Sequence, residues 1–278
     1  MSLATHWVDG EQAGGVPLPD RGFAFGDGLF ETFLYAQGRL FYPEYHYLRL
    51  QHGLKTLGVP DCMEAVKRQV DEVLVELRQM QLPQSALRLT VTRGGGPRGY
   101  APLLAPKPRI VISVEPVAGD WHVPAKPVST AVAGTRWSTQ PALAGIKHLN
   151  RLDQVLAARE RLAAGVDEMV MLDQQGSVVS VISGNIFAVV GGRIQTPLLS
   201  SCGVLGTRRQ LIVDRWAPAL GVEVREVAMG MDELLQAEEL FYSNTLLGLC
   251  PVASIGSTKW SGHPMFAALH QVYLGENA

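Results

Sequence analysis

Apolar and polar positions fall first into short extended runs. Trp7-Val8 leads into Asp9-Gly10, a turn pair that ends a strand, and residues 29–35 are joined to 39–41 by Gln37-Gly38, which reads as strand, turn, strand. The period then lengthens. Pro43 stands where a helix starts, Tyr47, Leu50, Leu54 and Leu57 share one face, and Gly58 stops it. Val66, Val70, Val73, Leu74 and Leu77 repeat that spacing in a second helix, before strands over 86–93 and 109–115. Residues 116–126 hold Pro116, Gly119 and Pro124 with no periodicity and are read as an interdomain linker.

Beyond the linker the pattern predicts a helix over 150–164 with Leu152, Val155 and Leu156 turned inward. Strands follow over 168–172, 178–181 and 186–190, separated by Gln174-Gln175-Gly176 and Gly191-Gly192 turns. A helix over 206–216 that stops near Pro218, strands over 222–227 and 240–243, and a last helix after His263-Pro264 complete the chain. Helices interrupt strands irregularly, which disfavours a doubly wound parallel sheet and predicts an α+β protein of two domains, 1–115 and 127–278.

Composition narrows the function classes. Twenty-four Lys and Arg against 26 Asp and Glu leave a net charge of −2, no footprint for nucleic acid or an anionic membrane. At 47% hydrophobic and 18% charged residues the chain is not disordered, and its sparse charge suggests a self-associating surface. Cys62, Cys202 and Cys250 make neither a disulfide framework nor a Cys-x-x-Cys metal pair, so no metal is expected. The first seven residues lack a signal-peptide pattern and no apolar run reaches membrane-spanning length, which leads to the expectation of a soluble cytoplasmic protein.

Three segments carry candidate chemistry. Gly94-Gly95-Gly96-Pro97-Arg98-Gly99-Tyr100 lacks the Lys-Ser/Thr of a nucleotide P-loop; it is either a flexible hairpin tip or a loop presenting Arg98, with Tyr100, to an anionic substrate. Gly203-Val204-Leu205-Gly206-Thr207-Arg208-Arg209 lies between a loop and a helix, where exposed amides and a hydroxyl hold phosphate or merely cap the helix. Lys147, in Ala144-Gly145-Ile146-Lys147-His148-Leu149-Asn150, is a surface lysine near a helix start or an amine made nucleophilic by desolvation.

The segment 145–154 resembles the Schiff-base lysine region of the fold-type IV pyridoxal-phosphate enzymes, whose architecture is that of the D-amino-acid aminotransferases. Asp20-Arg21-Gly22, Phe25-Gly26-Asp27-Gly28-Leu29-Phe30-Glu31-Thr32, His46-Tyr47-Leu48-Arg49-Leu50, residues 93–100, Ser183-Gly184-Asn185-Ile186-Phe187 and residues 203–210 match in order. The likeness spans about residues 7–255 and implies pyridoxal 5'-phosphate as cofactor and a homodimer. Within the family it leans to the branch that splits 4-amino-4-deoxychorismate into 4-aminobenzoate and pyruvate for folate synthesis. Alternatives on the same scaffold are a D-amino-acid or branched-chain aminotransferase, or a relative that binds the cofactor without turnover. Arg151 and Phe30 favour the lyase branch, since the aminotransferases usually carry an aliphatic or aromatic residue and often a tyrosine there.

The resemblance also implies roles. Lys147 would carry the cofactor and move a proton, with Thr32 assisting. Arg49, the backbone amides of Thr207 and Arg208, and Thr245 would hold the phosphate. Val204 would pack on the ring and Asn185 would order the strand beside it. Arg98, Tyr100 and Phe30 would meet the substrate, Arg98 either within its own chain or across the dimer interface. One position departs from the family: where a glutamate usually keeps the ring nitrogen protonated, four residues after Gly176 and five before Asn185, this chain has Ser180. A hydroxyl donates to a neutral nitrogen but does not stabilise a pyridinium as a carboxylate does. A weaker electron sink disfavours transamination more than elimination, in which the leaving group takes the electrons away.

Overall fold

The computed structural model describes residues 5–277; Met1 to Ala4 and Ala278 lie outside, and with them part of the N-terminal stretch read for a targeting signal. The chain divides into two compact units, one of Met1–Asp120 with Ile146–Asn150 and the other of Trp121–Gly145 with Arg151–Ala278. The first division falls inside the stretch expected as linker. The lysine segment, expected in the second domain, is grouped with the first unit.

In the first unit an antiparallel sheet runs β2-β1-β6-β5-β3-β4. Its strands are β1 (Thr5–Val8), β2 (Glu11–Gln12), β3 (Gly28–Ala36), β4 (Arg39–Leu40), β5 (Ser85–Thr92) and β6 (Arg109–Pro116). Leu87, Leu89 and Val91 on β5 and Ile110, Ile112 and Val114 on β6 alternate into the core, each burial contributing about 1.5–3 kcal/mol. Three helices join them: α1 (Arg21–Phe25), α2 (Pro43–Leu57) and α3 (Met63–Gln79). Helix α3 buries all five apolar positions that its spacing singled out. Helix α2 begins on Pro43 and ends at Gly58, whose φ of +61° lets its N–H close on the carbonyl of Leu54. Helix α1 is too short for periodicity to show; it exists because Asp20 caps it and Gly26, at φ +65°, stops it.

The second unit holds a mixed nine-stranded sheet. Along the chain it contains β7 (Val128–Val132), a 3-10 turn at Pro141–Leu143, α4 (Leu152–Ala164), β8 (Glu168–Leu172), β9 (Val178–Val181), β10 (Asn185–Val190) and β11 (Arg193–Pro197). Next come α5 (Thr207–Leu211), which runs into a π-helical turn, Ile212–Trp216, and then α6 (Ala217–Ala219), β12 (Val224–Val227) and α7 (Met231–Leu235). The chain closes with β13 (Glu239–Asn244), β14 (Gly248–Ile255), β15 (Thr258–Lys259) and α8 (Pro264–Asn277). The order is β12-β11-β10-β13-β14-β7-β8-β9, with β15 on β14. Strand β7 lies parallel to β14 and β8, and β11 parallel to β12; the remaining pairs are antiparallel. No described helix is long and apolar enough to cross a membrane.

Two expectations need correction. Strands β7, β11 and β14 carry no run the pattern marked; β14 contains Gly248 and Pro251, which read as breakers, yet it is paired on both sides. On α4, Leu152, Val155 and Leu156 do not turn inward but are 75%, 52% and 46% exposed, while Ala157 on the opposite face is fully buried. Ala157 joins Trp137, Met169 and Met171 in a core cluster, where a methyl group lets the helix approach closely. The bulkier stripe is left outward.

Candidate active site

In the first unit the site is built on β3. The lysine segment pairs beside it: Phe30 N–H donates to the Lys147 carbonyl at 2.9 Å, Leu149 N–H to that of Gly28 at 3.0 Å, and His148 bridges Leu29. This ladder holds the Lys147 ammonium 4.2 Å from the centre of the Phe30 ring. The Arg88 guanidinium lies 4.0 Å from the same ring, so two cations draw on one aromatic quadrupole. Lys147 is half-buried, and Thr32, two residues after Phe30, shares its side of the strand.

Glu31 points to the other side, where its fully buried carboxylate accepts from Arg49 Nε at 2.8 Å and from His46 Nδ1 at 2.6 Å. Arg49 Nη2 closes a two-pronged pair on the other carboxylate oxygen. Burial alone would raise the Glu31 pKa; the charge and hydrogen bonds of Arg49, with the bond from His46, outweigh it and hold it down to about 2. Arg49, assigned by resemblance to the cofactor phosphate, thus has its orientation fixed by Glu31. Glu31 and His46 lie in segments that match the family but carry no assigned role in the sequence, because a carboxylate in an apolar strand and a histidine on a helix reveal their pairing only as three-dimensional neighbours.

The loop with Arg98 and Tyr100 starts from Gly94, whose φ of +83° admits no side chain: a Cβ there would sit 2.0 Å from the carbonyl of Lys107. Both side chains are exposed, and among the described residues Arg98 has no hydrogen-bond or ion-pair partner.

In the second unit Asn185 of β10 locks the turn before α5. Its Nδ2 donates to the Val204 carbonyl at 2.9 Å and its Oδ1 accepts from Gly206 N–H at 3.0 Å. A side chain at 206 would displace the Asn185 amide, since a Cβ would lie 2.0 Å from Asn185 Oδ1. The same turn is stitched to Gly145: Gly145 N–H donates to Gly203 and Leu205 N–H to Gly145, both at 3.0 Å. Val204 is half-buried there. Just beyond, the Thr207 and Thr245 hydroxyls are 3.3 Å apart and Arg208 Nη2 reaches the Thr245 carbonyl at 3.3 Å, with Thr207 and Arg208 buried. Ser180, on β9, is buried and its hydroxyl has no hydrogen-bond partner among the described residues. Arg151 sits 5.8 Å from the Trp137 ring.

These arrangements belong to a known class of protein. A family model described as Amino-transferase class IV matches residues 28–255, and the chain belongs to that family, whose members use pyridoxal phosphate. An aminodeoxychorismate lyase of Vibrio harveyi is 31% identical over 91% of this chain and 92% of its own. A putative branched-chain-amino-acid aminotransferase of Methanocaldococcus jannaschii is 33% identical over 86% of this chain and 82% of its own. The crystal structure of 4-amino-4-deoxychorismate lyase from Pseudomonas aeruginosa superposes with a TM-score of 0.90 at 35% identity, covering 98% of both chains. The fold is therefore the type IV fold that the resemblance implied.

The residues fit the cofactor. Among the described residues the buried Ser180 hydroxyl lacks the partner that a buried polar group requires, and a ring nitrogen is an acceptor of the right kind. Two hydroxyls meeting at the start of a helix form a donor set suited to phosphate.

Proposed function

We propose that the chain is an aminodeoxychorismate lyase, converting 4-amino-4-deoxychorismate to 4-aminobenzoate and pyruvate in the cytoplasm as a step of folate synthesis. What carries the reading is the end-to-end likeness to the Pseudomonas lyase, 35% identical over 98% of both chains, together with the fuller coverage of the Vibrio lyase than of the Methanocaldococcus aminotransferase.

Pyridoxal phosphate, when bound, supplies an aldehyde that takes up amines and a ring that withdraws electrons. The protein would hold it through Lys147, through Arg49 set by Glu31, through Thr207, Thr245 and the Thr207 and Arg208 amides, and through Ser180 toward the ring nitrogen. Val204 and Asn185 fix the turn against which it rests. Arg98, with Tyr100, takes a substrate carboxylate in a two-pronged pair, and Phe30 packs near the reacting amine. Lys147 Nζ removes the proton from the amine-bearing ring carbon. The C–O bond to the enolpyruvyl group then breaks, the ring becomes aromatic, and Lys147 or Thr32 returns a proton to the departing enol. The outward stripe of Leu152, Val155, Leu156 and Leu162 on α4 suits the proposed homodimer, because it leaves four large apolar side chains in water in a single chain.

A second reading, aminotransferase, is favoured by the Methanocaldococcus relative. A coupled assay of 4-aminobenzoate release beside a panel of D- and branched-chain amino acids with 2-oxo acids separates them. Lyase turnover that outpaces every transamination is the expected result; the reverse order refutes the proposal. Borohydride reduction followed by peptide mapping is expected to place the pyridoxyl adduct on Lys147, and its absence from that peptide would remove the site.

A further inference from the structure

Asp20-Arg21-Gly22 and Gly26-Asp27-Gly28 match the family in sequence, yet no step of the proposed reaction uses them. Their side chains are spent on the loop that carries Arg98. The Arg21 backbone N–H donates to the Gly94 carbonyl at 2.9 Å, at the start of that loop. Its buried guanidinium then splits three ways: Nε to Asp27 Oδ2 at 2.9 Å, Nη1 to the Gly99 carbonyl at 3.1 Å and Nη2 to the Tyr100 carbonyl at 2.6 Å. The Phe25 ring lies 4.9 Å from the same guanidinium and 5.5 Å from the Tyr100 ring.

The stem of the loop is held separately. Arg93 donates Nε to Asp27 Oδ2 at 2.8 Å, Nη1 to the Gly58 carbonyl at 2.8 Å and Nη2 to that of Leu57 at 2.7 Å, tying the loop to the end of α2. Asp20 caps α1 through Gly22 N–H at 2.8 Å and also accepts from Thr92 and Arg109. Asp27 thus bridges two guanidinium groups, one at the stem and one at the tip. A seven-residue stretch with four glycines would otherwise sample many conformations. Here its backbone is fixed on either side of Arg98, while Arg98 itself is exposed and, among the described residues, unpaired.

We propose that Arg21 is a positioning residue: it sets the backbone of residues 98–100 so that Arg98 meets a substrate carboxylate in a defined place. The inference rests on the lyase reading for the identity of that carboxylate, but not for the geometry of the loop. Arg21→Lys keeps the charge and loses the three-way fork, since an ammonium on a flexible stem does not reproduce it.

The test is a double-mutant cycle of Arg21→Lys with Arg98→Ala in the cofactor-loaded enzyme, reading KM and kcat for aminodeoxychorismate, with trypsin cleavage after Arg98 followed in parallel. Arg21→Lys is expected to raise KM about tenfold with kcat within about threefold, and to add little once Arg98 is alanine. Cleavage after Arg98 is expected to accelerate. An Arg21→Lys effect that persists undiminished in the Arg98→Ala background, or unchanged cleavage with unchanged KM, overturns the proposal. Should the wild type fail to turn over aminodeoxychorismate while cleavage still accelerates, the loop role stands and the lyase reading falls. Asp27→Asn, which keeps Arg21 but removes its charge partner, gives the same signs at smaller size if Arg21→Lys does not fold.

Discussion

Replacing Glu31 by glutamine tests the buried centre of the first unit. The carboxylate is held from 4.5 down to about 2, a drop of about 2.5 pH units at about 1.36 kcal/mol apiece, or about 3 kcal/mol of stability at neutral pH. The neighbouring route to a figure agrees: removing one member of a buried ion pair typically costs about 3–5 kcal/mol, because Arg49 is left without its counter-charge. The sign follows from the depressed pKa. The contribution is fully present above pH 4.5 and is lost as the pH falls toward 2, so the gap between wild type and Glu31→Gln should halve by about pH 3. Urea unfolding of both proteins at pH 7, and in steps down to the acid limit of the wild type, reads this directly. A gap below about 1 kcal/mol at pH 7, or one that does not narrow in acid, would refute the claim that the charged carboxylate holds this centre together.

Ser180→Glu should shift the cofactor absorption toward a protonated ring and raise transaminase side activity, measured with D-alanine and a 2-oxo acid; no change in either would remove the role given to the Ser180 hydroxyl. Replacing Val155 and Leu156 on α4 together by glutamate should lower the mass measured by light scattering from dimer to monomer, and a dimer that persists would show that this stripe is not the interface.

Strands β5 and β6 and helix α3 were legible because their apolar positions follow one period and one face decides their burial. Helix α4 was legible in extent but not in facing: pattern alone favours Leu152 and Val155 over Ala157, whereas packing chose the small side chain. Strand β14 was hidden by Pro251 and Gly248. For the site, Lys147 and the Gly203–Thr207 turn were open candidates from the residues alone, and the resemblance gave them their roles. Glu31, His46, Arg21 and Asp27 lie in segments that match the family, but their pairings did not show, because bonds across the 15 positions between Glu31 and His46, or the 78 between Arg21 and Gly99, have no linear signature.

The five residues Ile146–Asn150 belong to one unit while the chain on either side of them belongs to the other. Severing the gene after residue 120 would strip β3 of its bonds to Lys147 and Leu149 and deprive the first half of its amine. Neither half is a transferable cassette, so recombination that swaps halves between relatives has to carry this pentapeptide along with its distant strand, or the amine arrives without the backbone that aims it.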